Sequence, residues 1–376
     1  MTAFQNLDLA PSLLAALEKM KISDPTPVQM QSIPIALSGA DLIAVAQTGS
    51  GKTLAFALPV LTKLFAKPEA RAFVMAPSRE MAQQIHKVFL ELTIDAPIST
   101  CLVIGGIPNA EQVRQLKKHP RIIVGTPGRM YDHLLNNKLL LQQVEILVID
   151  EADRMLDLGF TPQLKNIQKT MRGERQTLMF SASFDASVEA IAKIFMMSEP
   201  KMLRTVDAEK PVEGLKQKVL FIDKNHKNAR LVQELNATKG GVILFAGSQE
   251  RSESIGEFLK SHGFSTDLIH GGLTQGHRGR VIREFRQGVF RILVTTDLLA
   301  RGLDVPHVDH VISFDLPFEP GDFLHRIGRT ARAGRSGSAI TFVTQLDGEI
   351  YDAIRPYLKG AQELTLLRDF SFFAPR

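Results

Sequence analysis

Residues 41–53 read DLIAVAQTGSGKT, and a helix-period segment, Leu54 to Ala66, follows directly. The apolar run 41–46 is continuous rather than alternating, as expected of a strand in a parallel sheet with both faces covered. Residues 46–53, AQTGSGKT, then form a phosphate-binding loop with Ala46 at the usual first glycine position. Gly49 and Gly51 permit backbone conformations that aim N–H groups at phosphate oxygens, and Thr48 and Ser50 belong to the same cradle. The helix start adds a partial positive charge. Lys52 reaches toward the β- and γ-phosphates, and the Thr53 hydroxyl is placed to ligate Mg²⁺. A strand, this loop and a helix in that order point to ATP or a similar nucleotide.

Working outward, the same alternation continues. Strand-like runs at 72–76 AFVMA, 121–125 RIIVG and 145–150 EILVID are followed by others at 242–246 VILFA, 291–296 RILVTT, 310–314 HVISF and 339–343 AITFV. Helix-period segments such as Glu80 to Leu92 lie between them. The fold class is α/β, with doubly wound, mostly parallel sheets. The chain also resembles itself. AFVMAPSRE at 72–80 matches VILFAGSQE at 242–250, and RIIVGT at 121–126 matches RILVTT at 291–296, both displaced by 170 residues. Gly105-Gly106 matches Gly271-Gly272 at nearly the same displacement. Three matches in one order predict two copies of one fold. We expect a first domain over 1–205, a polar linker over 206–214 and a second domain over 215–376. The window expected to match the phosphate loop in the second copy, 216–223 KQKVLFID, has no glycine.

Two further clusters carry chemistry. Asp150-Glu151-Ala152-Asp153 follows the strand EILVI, and ligand crevices in open parallel sheets lie at the carboxyl ends of strands. Asp150 is placed to hold Mg²⁺, through water, and Glu151 to orient or deprotonate the attacking water. In 325–335, HRIGRTARAGR, arginines recur at 326, 329, 332 and 335 with few carboxylates nearby. On a helix they would repel one another. A solvated basic face is the plain alternative; a set of cations for an external anion, such as a γ-phosphate, is the reading the missing carboxylates favour.

Composition bounds the rest. With 45 basic and 40 acidic residues among 376, the net charge of +5 permits a polyanionic partner without requiring one. A hydrophobic share of 44% rules out wholesale disorder, and no apolar stretch is long enough for a membrane span. The segment from Met1 to Ala10 does not read as a signal peptide, and one cysteine, Cys101, fits a reducing cytoplasm. Cytoplasmic localisation is therefore expected. The ten histidines show no metal-ligand spacing, so no zinc is expected, and His86, His119 and His226 are read as surface residues.

Taken together, the ordered motifs from about Phe4 to Arg335 resemble those of the DEAD-box ATP-dependent RNA helicases of superfamily 2. The resemblance implies two tandem RecA-like domains, RNA-stimulated ATP hydrolysis, interdomain closure and local unwinding of short duplexes or remodelling of RNA–protein complexes. It implies Gln29, in 25–29 PTPVQ, as the adenine reader. Ile22 stands where the family has an aromatic, preceded by Lys21 in place of glycine. Phe4 is similar to the family's isolated upstream aromatic, in contact with the nucleotide or as a buried anchor. Pro77 and Arg79 of Pro-Ser-Arg-Glu, Gly106, and Thr126 and Arg129 of Thr-Pro-Gly-Arg are implied RNA-backbone contacts. So are Gln275, Arg278, Thr296 and Gly302 in the second copy. Ser181 and Ser183 of Ser-Ala-Ser, with His325, are the implied couplers. Asp304 is implied at the ribose, Arg329 and Arg332 at the γ-phosphate, and Asp297 as a brace for Arg278. Ala331 stands where glycine is frequent, a tolerable change on a helical backbone. The partners so implied are RNA, gripped with little sequence preference, and possible accessory proteins; no membrane is implied. A DNA-directed enzyme of the same superfamily and an RNA clamp without productive unwinding are the alternatives.

Overall fold

The computed structural model describes residues 3–46, 49–171, 173–184, 186–196, 199–205, 214–297, 308–331, 336–358 and 360–366. Residues 206–213, where the join is expected, and the three phenylalanines at 370, 372 and 373 lie outside them. The chain divides into two compact units, Met1–Ala208 and Glu209–Arg376.

In unit 1 the described strands are β1 (Leu42–Val45), β2 (Arg71–Met75), β3 (Thr100–Val103), β4 (Ile122–Gly125), β5 (Val144–Asp150), β6 (Gln176–Ser181) and β7 (Lys201–Arg204). They form one parallel sheet in the order β3-β4-β2-β5-β6-β1-β7. The continuous apolar runs have a direct cause. Leu42 and Ala44 enter one core with Val74, Leu178 and Phe180, while Ile43 enters the other with Phe73, Met75 and Met179. Successive side chains point to opposite faces, and both faces are covered. On one face the rings of Phe56 and Phe180 pack 5.4 Å apart.

Unit 2 repeats this plan with β8 (Leu215–Phe221), β9 (Val242–Phe245), β10 (Thr266–Ile269), β11 (Ile292–Thr295), β12 (His310–Ser313), β13 (Gly337–Val343) and β14 (Gln362–Thr365). Its order, β10-β11-β9-β12-β13-β8-β14, is that of unit 1 strand for strand. The repeat extends to supporting side chains. Ser78 Oγ accepts from Met81 N at 3.2 Å to cap the helix Arg79–Leu92, and Ser248 Oγ accepts from Arg251 N at 3.1 Å to cap Gln249–Ser261. Arg121 donates to the carbonyls of Leu64, Lys67 and Ala70, and Arg291 to those of Leu235, Thr238 and Gly240.

Three expectations are corrected. The phosphate-loop helix starts at Lys52, not Leu54, so the lysine sits in its first turn. The window 216–223 is mainly the strand β8 itself; its counterpart in unit 1 is β1, and the loop equivalent to AQTGSGKT begins after Phe221. Arg326 and Arg329 do not share a helix, because the helix Pro320–Ile327 ends before Arg329; Arg332 and Arg335 lie outside the described residues.

Candidate functional site

Ala46 leaves β1 with its N–H bonded to the carbonyl of Ser181 at 3.0 Å. Gly49 and Gly51 then adopt φ of 83° and 94°, a region that L side chains avoid. Lys52 is buried, and its Nζ donates to the Ala46 carbonyl at 2.9 Å across the loop. Ser50 Oγ is buried with no hydrogen-bond partner, and Thr53 is half-buried in the first helical turn. A polar hydroxyl left over inside a glycine-turned loop at a helix start fits a phosphate cradle. Thr48 lies outside the described residues.

Facing this loop is the end of β5. Asp150 is 4% exposed, and its Oδ1 accepts from the Glu151 amide at 3.0 Å. Burial pushes its carboxyl up to about 7 against the opposing pull of Lys52, and the charges of Glu151 and Asp153 add to the rise. A carboxylate so disfavoured as a bare anion suits a divalent cation, which stabilises the charged form. Among the described residues no group of three or more His, Cys, Asp or Glu could cage a metal alone. The donor set present, one hydroxyl and one carboxylate beside a phosphate loop, matches the preference of Mg²⁺ for few protein ligands plus phosphate and water.

Glu151 sits in the left-handed region, φ 49° and ψ 58°, at the start of the short helix Ala152–Asp157. Its Oε2 is buried without a hydrogen bond and lies 3.7 Å from Arg154 Nη1. Ser181 is fully buried at the end of β6, and its Oγ also has no hydrogen-bond partner. Next to it the Ala182 amide donates to Asp153 Oδ2 at 3.4 Å. The Ser-Ala-Ser segment thus touches the phosphate loop through Ser181 and the acidic motif through Ala182. Ser183 is half-buried beside them.

Gln29 is 2% exposed, on the helix Pro27–Leu37. Its Oε1 accepts from Thr26 N at 3.0 Å and its Nε2 donates to the Gly51 carbonyl at 3.0 Å. A primary amide has two donors and two acceptor lone pairs, so one donor and one acceptor site stay available to a base edge. A Cβ on Gly51 would collide with this amide. Phe4 is 1% exposed and belongs to the hydrophobic core with Leu13 and Leu17, which favours the anchor over the nucleotide contact. It still lines one cleft with Leu14, Lys21 and the half-buried Ile22.

At the ends of β2, β3 and β4 the remaining motifs of unit 1 converge. Pro77 is buried after β2, and the Arg79 guanidinium lies against Gly105, where a Cβ would meet Nη2 at 2.6 Å. Gly106 has φ 85° and lines a cleft with Arg129, whose Nη1 donates to the Ile107 carbonyl at 3.1 Å. Thr126 starts the helix Pro127–Asn136. In unit 2 the helix Gln275–Arg286 begins at Gln275, whose side chain lies outside the described residues, and Arg278 on it is 9% exposed. Thr296 follows β11 and is half-buried. His325 and Arg329 are buried, and Arg329 Nε donates to the His325 carbonyl at 3.1 Å. Gly302, Asp304 and Arg332 lie outside the described residues.

Several expectations change here. Asp297, read as a brace for Arg278, forks with Arg326, at 2.5 and 2.7 Å. Ala331 is not helical: its φ is 53°, so the methyl group sits where glycine costs less. His86 is half-buried, bonded to Thr100 Oγ1 at 2.9 Å, and burial lowers its pKa. Arg154, Lys227 and Asp315 escaped the sequence reading, and Arg326 was read only as one of a run of arginines; of the three missed, Arg154 had a signal, as a cation three residues after Glu151.

Residues 26–191 match the family model described as DEAD/DEAH box helicase, and residues 226–334 match the helicase conserved C-terminal domain. The chain is 42% identical over 351 residues to the ATP-dependent rRNA helicase rrp3 of Aspergillus niger, covering 93% of this chain and 75% of that one. It is 40% identical over 346 residues to the DEAD-box ATP-dependent RNA helicase CshA of Geobacillus kaustophilus, with coverages of 92% and 74%. Among solved structures, S. cerevisiae Dbp5 bound to RNA and ADP BeF3 superposes with a TM-score of 0.85 at 32% identity, covering 97% of this chain and 96% of that one. With the Ser-Ala-Ser segment bonded to the phosphate loop at Ala46 and to the acidic motif at Asp153, and with these matches, the chain belongs to the DEAD-box ATP-dependent RNA helicase family.

Proposed function

We propose that ATP and a single RNA strand draw the two units together, and that this closure bends the strand and opens a short duplex. ATP binding favours the closed form, a population shift, and hydrolysis with phosphate release returns the open one. Lys52 and the loop amides hold the β- and γ-phosphates. Gln29 reads the adenine edge with its remaining donor and acceptor. Glu151 orients and deprotonates the attacking water, steadied by Arg154. Mg²⁺, held by Thr53 and Asp150, supplies charge neutralisation at the transferring phosphoryl group. Arg329 and Arg332 supply cations from unit 2, and Asp304 the ribose contact. Ser181, Ser183 and His325 couple the nucleotide to the RNA, which Arg79, Gly106, Thr126, Arg129, Gln275, Arg278, Thr296 and Gly302 grip by its backbone.

The observation that carries this reading is the main-chain junction at Ser181: one segment bonds the phosphate loop at Ala46 and, through Ala182, the acidic motif at Asp153. A shift at any of the three reaches the other two. The names of the Aspergillus relatives support ribosomal RNA as one substrate class. A single cysteine, Cys101, unable to form an internal disulfide, fits a reducing, cytoplasmic setting. Among the described residues no helix is long and apolar enough to cross a membrane.

The test is ATP turnover titrated with RNA and with DNA of equal sequence. RNA should stimulate it and DNA should not, and Lys52→Ala should abolish it. Equal stimulation by DNA would favour the DNA-directed alternative, and substantial RNA-stimulated turnover in Lys52→Ala would refute the site assignment.

A further inference from the structure

Unit 2 holds a second buried lysine–carboxylate corner, and the strand registers say what it corresponds to. In unit 1, Ile149 of β5 pairs with Met75 and with Met179, which pairs with Ile43. In unit 2, Ser313 of β12 pairs with Phe245 and with Thr341, which pairs with Val219. Met75 and Phe245 are equivalent in the sequence repeat, so Ser313 stands at the register of Ile149 and Asp315 at that of Glu151. Lys227, first residue of the helix after β8, falls one residue short of the register of Lys52.

Here the corner is closed on itself. Lys227 is 3% exposed, its Nζ lies 2.7 Å from Asp315 Oδ1 and 4.5 Å from the centre of the Phe314 ring. Asp315 Oδ2 accepts from Gly247 N at 3.1 Å and Arg251 Nε at 3.3 Å. Burial opposes the charge on Asp315, but Lys227, the Gly247 amide and Arg251 together outweigh it and hold its pKa below the ordinary value. The carbonyl of the same residue accepts from Arg326 Nη1 at 2.5 Å. Arg326 is 1% exposed, forked to Asp297 and stacked 4.8 Å over Phe245. It is flanked by His325, whose carbonyl holds Arg329 Nε, while Thr330 Oγ1 bonds the carbonyls of Val308 and Asp309 at 2.8 and 3.0 Å.

We propose that Lys227 and Asp315 are positioning residues for ATP turnover: the counterpart of the nucleotide corner, sealed by its own ion pair, fixes the strand end that holds Arg326 and, through Arg326, the segment bearing His325 and Arg329. The proposal rests on the roles given above to His325 and Arg329. A buried ionic network is a poor source of stability compared with packed apolar side chains. Its gain is directional: a guanidinium held at all three nitrogens fixes the orientation of the backbone around it, and phosphoryl transfer is sensitive to small misplacements of a cation.

The test uses the full chain. Lys227→Met, Asp297→Asn, their double variant and Arg329→Ala are compared in RNA-stimulated ATPase kinetics, in binding of a fluorescent ATP analogue without RNA, and in thermal unfolding. Lys227→Met should lower kcat by about tenfold while KM for ATP and analogue affinity stay within about twofold. The double variant should be no slower than the slower single variant, because both act through Arg326. A folded Lys227→Met with wild-type kcat, a loss confined to KM, or losses that multiply would each overturn the proposal. Should Lys227→Met fail to fold, Asp297→Asn, of equal volume, decides by the same split between kcat and KM. Loss of turnover in Arg329→Ala with none in the positioning variants overturns this proposal alone. Retained turnover in Arg329→Ala overturns the parent reading and this proposal with it.

Discussion

Two residues with side chains occupy the left-handed region at the working ends of the two units, Glu151 at φ 49° and Ala331 at φ 53°. Such conformations persist only where surroundings over-determine them, and they gather at functional sites. For Ala331 the surroundings are explicit. It is 6% exposed, Thr330 before it is tied to two carbonyls, and Gly337 presses against its backbone so closely that a Cβ there would lie 2.7 Å from Ala331 N. Glycine at 331 would relieve the strain at some cost in chain entropy, so Ala331→Gly should stabilise the protein by up to about 1 kcal/mol. A thermal melt checks this; a lower midpoint contradicts it. The sequence could not show this, because a φ value is set by what holds the chain on either side. Lys52 is the opposite case: strand, loop and helix start lie within thirteen consecutive residues, so its place at the loop's end is a local pattern and was legible.

At the scale of elements, the repeat was legible in three short matches but its mechanical content was not. Arg121 and Arg291 were visible only as the first letters of two similar strings. In the fold each collects three carbonyls at the C-terminal end of a helix, one headed by Lys52 and the other by Lys227. Burial lowers the pKa of both guanidinium groups. Arg291→Met should cost about 2 kcal/mol, the scale of lost charge-assisted hydrogen bonds. Faster amide exchange should appear in unit 2 only, and Arg121→Met should produce the mirror result. Exchange that quickens in both units equally would deny the units separate stability. Arg326 marks the limit of reading element by element. Its partners come from the ends of β11 and β12, which only the sheet order brings beside the helix Pro320–Ile327. No spacing in the sequence announces that, and the even run of arginines was read as a set of cations for an external anion, with no sign that Arg326 is spent inside the fold.

For the whole molecule, the proposed mechanism has ATP shifting a population, so blocking the chemistry should lengthen the life of the closed form. Glu151→Gln keeps the shape of the side chain and removes the carboxylate proposed to orient or deprotonate the water. It should slow hydrolysis severely while retaining ATP-dependent RNA binding, read by fluorescence anisotropy of a labelled strand. Loss of that binding would contradict the role given to Glu151. The sealed corner at Lys227 also bears on stoichiometry. Among the described residues one glycine-turned loop can take a phosphate, while the corner at Lys227 is neutralised by its own carboxylate, so a single nucleotide per chain is expected. Titration with a non-hydrolysable ATP analogue should saturate at about one molecule per chain. On that outcome each event would deliver one stroke, with no second nucleotide to alternate with. That suits a machine that pries once and lets go better than one that walks.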